Sequence, residues 1–488
     1  MTSLSKYLKY LILVYLILFT IQPPLDLDLG WHLRYGEYFF QTGQVLKDNI
    51  ISFVWPDYSW VQASWGYDLL LYQIFTRFSF FGVSLGASLT TLLIFILITY
   101  PIKRFTLWQY FFLSSIFLIL TAPLYASGLR SQTPSALLFA ITILITHQAL
   151  RNTTKTVFLL PGIFLIWANL HGGFALGLLL LFVIWLVDGL LLLKGDKLNK
   201  KWFNFGIILG LSTLTPLINP WGIRIYQETF KHSSNIQLVS IKEWQPLTSM
   251  PFEAAITSTI VILLVTIGFL NRKNLNIPYS VALILSGYFA FSAIRFLIPF
   301  GIMATYFLAQ NISIINWRKW FHPHFIWGAK ILFILLLAFD FFIFKRYFLL
   351  VNPRIINFSW SSYCQTLGSC SEEITELMLK NPPQGNGYNF YDYGGYLSWR
   401  VPQVKTFLDG RMSAWEKDGQ VPPLELGDQV IFSDNPIPFI KLDNQYHFKW
   451  AIVYTEAAIT NYLESLVKAG LWQKIYHDSY FTYFVKLR

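Results

Sequence analysis

A chain of 488 residues that is 54% hydrophobic and only 13% charged departs from ordinary soluble proteins, in which about a quarter of residues are charged. Its formal charge of +11 comes from 37 basic and 26 acidic residues, and the basic ones sit in short loops between apolar runs. That placement argues against nucleic-acid binding and reads as a topology signal and as attraction to anionic headgroups.

In chain order, Lys6 and Lys9 precede an apolar run from Tyr10 to Ile21. Gln22-Pro23-Pro24 follows where a small-x-small cleavage site would stand, so the run reads as an uncleaved first helix near 8–24. Further apolar segments lie near residues 68–100, 107–122, 134–150, 156–170, 173–193, 203–218, 255–270, 277–293, 296–311 and 328–349. The run at 68–100 is too long for one crossing, and its first part, Tyr67 to Phe78, reads as an interfacial stretch leading into the helix. Asn169-Leu170-His171-Gly172-Gly173 divides another run in two. The expected fold is an all-α membrane bundle of about eleven transmembrane helices.

An N-terminus inside the cell puts Lys103/Arg104, Arg151/Lys155, Lys194/Lys197/Lys200/Lys201, Arg272/Lys273 and Arg318/Lys319 in cytoplasmic loops. The opposite loops carry Asp26, Asp28, Glu37, Asp48, Asp57 and Glu243. This follows the positive-inside rule, with Lys345 and Arg346 as the exception. After Val351, prolines and glycines punctuate short segments of alternating type. Ser371–Leu379 and Glu456–Ala469 read as helices. Tyr388–Tyr391, Val404–Leu408, Trp450–Tyr454, Trp472–Tyr476 and Tyr480–Val485 read as strands. The expected division is a membrane domain over 1–350, with a first outer loop over 23–67, and an extracytoplasmic α/β domain over 351–488. Cys364 and Cys370 are either a disulfide closing a small loop or two free thiols.

The first outer loop, Leu25-Asp26-Leu27-Asp28-Leu29-Gly30-Trp31-His32, sets two carboxylates and an imidazole directly after the first helix. Such carboxylates either bind a divalent cation or take a proton from an acceptor hydroxyl, or else solvate the helix end. Other polar residues collect on the same predicted face. They are Arg130, Asn169 and His171, Glu243 and Trp244, and Arg295. Charges at membrane depth cost several kcal/mol, so their gathering on one face outlines an outward-facing cavity. Asp409 and Arg411 flank a glycine and read either as a structural ion pair or as an acceptor contact.

These residues carry a resemblance. A carboxylate pair in the first outer loop, many helices and a C-terminal extracytoplasmic domain resemble the GT-C glycosyltransferase superfamily. More closely, the chain is similar to a poorly characterised bacterial group of GT-C-like membrane proteins. The motifs that carry the likeness are DLDLGWHLRYGEYFFQTGQVLKDNIISF, SWVQASWGYDLLLY, IWANLHGGF, INPWGIRIY, IKEWQPL, AIRFLIPF and YDYGGYLSWRVPQVKTFLDGR. Where that group commonly has Pro between the two Asp residues and a second Trp before the His, this chain has Leu27 and Gly30.

The resemblance implies inverting transfer of a hexosyl or pentosyl group from a polyprenyl-phosphate donor, with Asp26 and Asp28 in the catalytic role. One of them acts as base, or the pair holds a divalent cation (Mg or Mn). Arg130 and Arg295 are the candidates for the departing lipid phosphate, since guanidinium matches phosphate oxygens with paired donors. His32 is expected to act there too or to orient a carboxylate. Asn169, His171, Glu243 and Trp244 complete the expected substrate-binding set. The expected partners are the lipid-linked sugar, membrane lipids and an extracytoplasmic glycan, lipid or protein acceptor, at the plasma (inner) membrane. The alternative is a non-enzymatic transporter or assembly protein for lipid-linked glycans. A transporter would need polar residues through the membrane depth, where the sequence offers Asp188 and Asp340.

Overall fold

The computed structural model describes residues 3–100, 106–151, 155–195, 198–234, 241–312 and 357–487. They are mostly helical, with one small sheet near the C-terminus. Ten of the eleven apolar runs fall on helices, among them Ser3–Thr20, Leu107–Leu120, Gln132–Arg151 and Leu160–Leu170. The run at 328–349, with Asp340, lies outside the described residues. Four of the helices are long and apolar enough to cross a membrane: Trp65–Thr99, Gln132–Leu150, Phe174–Lys194 and Pro251–Leu270. Trp108–Leu120, Lys155–Leu170 and Ile277–Ser292 are apolar but shorter, so length alone does not establish eleven crossings.

Two compact units divide the chain. One takes in Met1–Pro24, Phe80–Thr229 and Val239–Asn357, the other Leu25–Ser79, Phe230–Leu238 and Phe358–Arg488. Composition divides the chain at 350; the contacts instead join the segment after the first helix to the C-terminal residues. The long run Trp65–Thr99 breaks at Ser79, whose φ of 52° and ψ of −152° are not helical. The break falls at the end of the stretch expected to be interfacial.

In the first unit, Leu297–Ile312 is buried along nearly its whole length. It packs against Ile277–Ser292, Leu107–Leu120 and Pro251–Leu270. Some polar side chains inside this bundle bond to one another or to main chain. Asn271 donates to Asn311 at 2.5 Å, and the Tyr279 hydroxyl donates to the carbonyl of Ile143 at 3.1 Å.

The second unit is built on a four-stranded sheet, in the order β1 (Gly387–Tyr388), β2 (Trp450–Tyr454), β4 (Phe481–Lys486), β3 (Trp472–His477). β1 runs parallel to β2, and the other pairings are antiparallel, with Ile452 opposite Tyr483. β2, β3, β4 and the helix Ala458–Lys468 lie where the alternation of apolar residues predicts them. Two expected strands are corrected. Val404–Leu408 forms only a single parallel bridge, Thr406 to Ser52, because its main chain bonds to the loop around Ile51 instead of to the sheet. Only the start of Tyr388–Tyr391 is strand; Tyr391 begins the helix Tyr391–Arg400.

One core unites the two parts of this unit. Trp31, Tyr35, Leu46, Val54 and Trp60 pack with Tyr388, Phe407, Met412, Trp415 and Phe448. Aromatic side chains each bury large apolar areas, which is what fastens an otherwise irregular loop to the sheet. The helix Leu29–Thr42 meets Tyr391–Arg400 at a point with no room for side chains. A Cβ on Gly30 would lie 2.0 Å from the carbonyl oxygen of Gly395, and one on Gly395 would lie 2.4 Å from that of Leu27. The paired glycines of YDYGGY are therefore there for close backbone approach. Gly30→Ala is expected to destabilise the protein by about 1–3 kcal/mol, the usual cost of overpacking. A lowered Tm of the purified variant in lipid checks it, and an unchanged Tm would show that the helices separate without cost.

Candidate active site

Local hydrogen bonding shapes the carboxylate pair. The Asp26 carbonyl accepts from the N–H of Leu29 at 3.1 Å, and its Oδ1 accepts from the N–H of Asp28 at 3.3 Å. The Asp28 carbonyl then takes the N–H of His32 at 3.2 Å and starts the helix Leu29–Thr42. Asp28 is the N-cap residue, yet its side chain does not cap. Its Oδ1 turns to the indole N–H of Trp31 at 2.7 Å. A carboxylate at this end of a helix is stabilised by the aligned backbone dipoles. Asp26 is only 5% exposed, whereas Asp28 is half-buried, so a substrate reaches Asp28 more readily.

The DGR segment forms the wall beside Asp28. A Cβ on Gly410 would stand 1.8 Å from Asp28 Oδ1, so a larger residue there would displace the carboxylate. Gly410 is held by its neighbours. Arg411 and Asp409, both with fully buried side chains, form a bidentate pair at 2.8 and 2.6 Å. Arg411 also donates to the Tyr35 hydroxyl at 3.2 Å, and Thr406 donates to Asp409 at 3.1 Å. Of the two sequence readings of Asp409 and Arg411, the geometry is that of a structural ion pair. The Tyr391 hydroxyl donates to the Gly410 carbonyl at 3.2 Å. Burial pushes the carboxyl of Asp392, the next residue, above the usual range.

His32 pairs with a different carboxylate, Asp68. It is 4% exposed, its ring stacks on Trp31 at 3.6 Å, and its Nδ1 lies 2.5 Å from Asp68 Oδ1. Asp68 is also buried and accepts from Gln62 at 2.8 Å. The imidazole is thus fixed by a second carboxylate and stacks on the ring of Trp31, whose N–H edge holds Asp28. Asp68 was not singled out by the sequence reading. An acidic residue heading an apolar run, three after Trp65 in SWGYDLLLY, was the available signal.

The remaining candidates belong to the first unit. Glu243 accepts from Arg130 in a short ion pair and from Gln132 at 3.2 Å. Burial alone would raise its carboxyl, but Arg130 and Arg295 outweigh that and hold it below the usual glutamate range. Arg295 lies over the ring of Trp244, 4.0 Å from the centroid, and main chain ties the two segments through Ile294 N–H to Gln245 at 3.1 Å. Among the described residues none accepts a hydrogen bond from the Arg295 guanidinium, whose charge is balanced by nearby Glu243. Next to Arg295, Phe296 lines a small, half-open apolar cleft with Phe139, Leu180, Val183, Leu285 and Phe289. Asn169 and His171 lie at the helix break. The Asn169 amide donates to the carbonyls of Leu165 and Ile218 at 2.8 and 3.1 Å, and His171 Nδ1 accepts from the Gly173 N–H at 3.0 Å.

A divalent cation of the Mg type takes about six oxygen ligands. Among the described residues no group of three or more His, Cys, Asp or Glu converges where it could hold a metal ion. The described residues do not by themselves fit a metal centre.

No protein-family model matches the chain, and no curated protein matches its sequence. Solved structures do match. The chain is similar to the archaeal oligosaccharyltransferase AglB from Archaeoglobus fulgidus, in complex with an inhibitory peptide and a dolichol-phosphate. The identity is 12% and the TM-score 0.60, over 93% of this chain and 70% of that one. It is also similar to ArnT from Cupriavidus metallidurans bound to undecaprenyl phosphate, at 12% identity and a TM-score of 0.56, over 100% of this chain and 99% of that one. The Archaeoglobus enzyme tethered with an acceptor peptide matches with a TM-score of 0.54 at 12% identity, over 100% and 75%. Both neighbours are GT-C superfamily glycosyltransferases, and the likeness establishes that this chain has their fold.

Proposed function

We propose that the protein is a membrane glycosyltransferase that moves a sugar from a polyprenyl-phosphate donor to an extracytoplasmic acceptor. The observation that carries this reading is the Asp28 carboxylate, half-buried at a helix start and aimed by Trp31 and Gly410. Fold alone does not fix function, so the argument rests on the residues.

In the proposed reaction an acceptor hydroxyl oxygen attacks the anomeric carbon from the side opposite the lipid phosphate. The bond from that carbon to the phosphate oxygen breaks, inverting the centre, and the lipid phosphate leaves with the electron pair. Asp28 takes the hydroxyl proton as the new bond forms. Asp26 shapes the turn, since its Oδ1 is engaged with the N–H of Asp28. Arg295 is the proposed ligand of the leaving phosphate, because Glu243 already engages Arg130. AglB was solved with dolichol-phosphate and ArnT with undecaprenyl phosphate, which supports a lipid-phosphate donor here. The shared core of the first loop and the C-terminal residues supports placing both on one side of the membrane, proposed as the outer face of the plasma membrane.

Arg295→Ala is expected to weaken binding of undecaprenyl phosphate by about 10- to 100-fold, the worth of a charge-assisted hydrogen bond lost from a sheltered site. Titration of the purified protein in lipid measures it. Unchanged affinity would remove Arg295 from the donor site.

A further inference from the structure

We infer that Tyr363 is a positioning residue for the Asp26–Asp28 turn, and that the Cys364–Cys370 disulfide holds it in place. The inference rests on the function proposed above for Asp28. Tyr363 is 1% exposed and its hydroxyl donates to the Asp26 carbonyl at 2.5 Å, bridging 337 residues of sequence. That carbonyl also accepts the Leu29 N–H, so the phenol grips the peptide group that sets the direction of the turn. Burial pushes the phenol well above its usual range, and the nearby carboxylates of Asp26, Asp28 and Asp392 push the same way. It stays protonated and stays a donor.

The element that carries Tyr363 is slight. Trp360–Leu367 has 8 residues, capped by Ser359 and ended by Gly368 at φ +65°. A helix this short is marginal unless its surroundings hold it. Cys364, one residue beyond Tyr363, is bonded to Cys370, and both are buried. The free-thiol alternative is thereby set aside. Ser371, next to Cys370, exchanges two hydrogen bonds with the Tyr393 hydroxyl, at 3.3 and 3.2 Å. Tyr393 belongs to Tyr391–Arg400, the helix that meets Leu29–Thr42 at Gly30. The disulfide therefore fastens the turn carrying Tyr363 to the helix against which the carboxylate segment packs. Removing a cross-link frees the short helix to sample other conformations.

The test uses the full chain in lipid nanodiscs and reads two quantities. Amide hydrogen exchange over residues 25–33 is expected to speed up about tenfold in Tyr363→Phe, with exchange in β2 unchanged. Reduction by dithiothreitol is expected to do the same to the wild type and to add nothing in Tyr363→Phe. Sugar transfer is expected to show about a tenfold lower kcat in that variant with KM for the donor unchanged. Unchanged exchange over 25–33, or additive effects of reduction and Tyr363→Phe, would overturn the inference. Exchange is read without substrate. A wild type that transfers no sugar would thus count against the proposed function, while exchange still judges the grip of Tyr363 on the turn.

Discussion

Asp28→Asn is expected to cut sugar transfer on the order of a thousandfold, within the range lost when a general base is removed. The substitution is nearly isosteric, and the amide oxygen of the new side chain can still accept from the Trp31 indole. Thermal stability and donor affinity should therefore stay close to wild type while kcat falls. Asp26→Asn is expected to cost far less, because an amide oxygen also accepts from the N–H of residue 28 and the side chain is shut away at 5% exposure. Initial rates for the two variants side by side make the check. Equal losses would mean that the carboxylates act as a pair, and no loss in either would remove this turn from the chemistry.

Asp409→Ala is expected to have the largest effect on stability, roughly 3–5 kcal/mol, because it leaves Arg411 charged and unpaired in the core. Arg411 keeps one hydrogen bond, to Tyr35, and the faces of Tyr35 and Trp415 at 5.8 and 5.3 Å from their centroids. Those contacts do not replace a bidentate carboxylate. The double change Asp409→Leu/Arg411→Met should recover most of the loss, since an apolar pair of similar volume often matches a buried ion pair. Denaturant titration of the three proteins distinguishes the outcomes. A single variant as stable as wild type would show that the pair contributes little to the core.

The sequence made the helices readable because their apolar runs are long and bounded by charge, as at Lys194 and Arg272. β2, β3 and β4 were readable for a similar reason, since alternation and chain turns marked their ends. What escaped was structure made by distant partners. Tyr391–Arg400 contains two glycines and four aromatics, a poor helix on propensity, and it forms because its glycine face fits Gly30 and Leu27. Val404–Leu408 has the composition of a strand, but its partner is the loop at Ile51, hundreds of residues earlier. The helices Leu424–Phe432 and Ile437–Tyr446, which follow or contain prolines, are likewise not among the elements the sequence predicts.

The candidate site shows the same division. Asp26 and Asp28 stand out as acidic residues just after an apolar helix, and the structure folds them into one turn. The pairing of His32 with Asp68 and of Arg130 with Glu243 depends on contacts across 36 and 113 residues, which spacing cannot signal. The same holds for Tyr363 on Asp26. Asn169 and His171 bond to main chain around a helix break, which their place between two apolar runs already marks.

The most direct measurement is transfer of radiolabel from a panel of polyprenyl-phosphate sugars by the purified protein in lipid. Envelope glycans, lipids and proteins serve as acceptors, with and without divalent cations. The account predicts that label moves from at least one donor and that Asp28→Asn abolishes the movement. Absence of transfer from every donor, with the protein folded and bound to lipid, would contradict it and leave transport or assembly of lipid-linked glycans as the function.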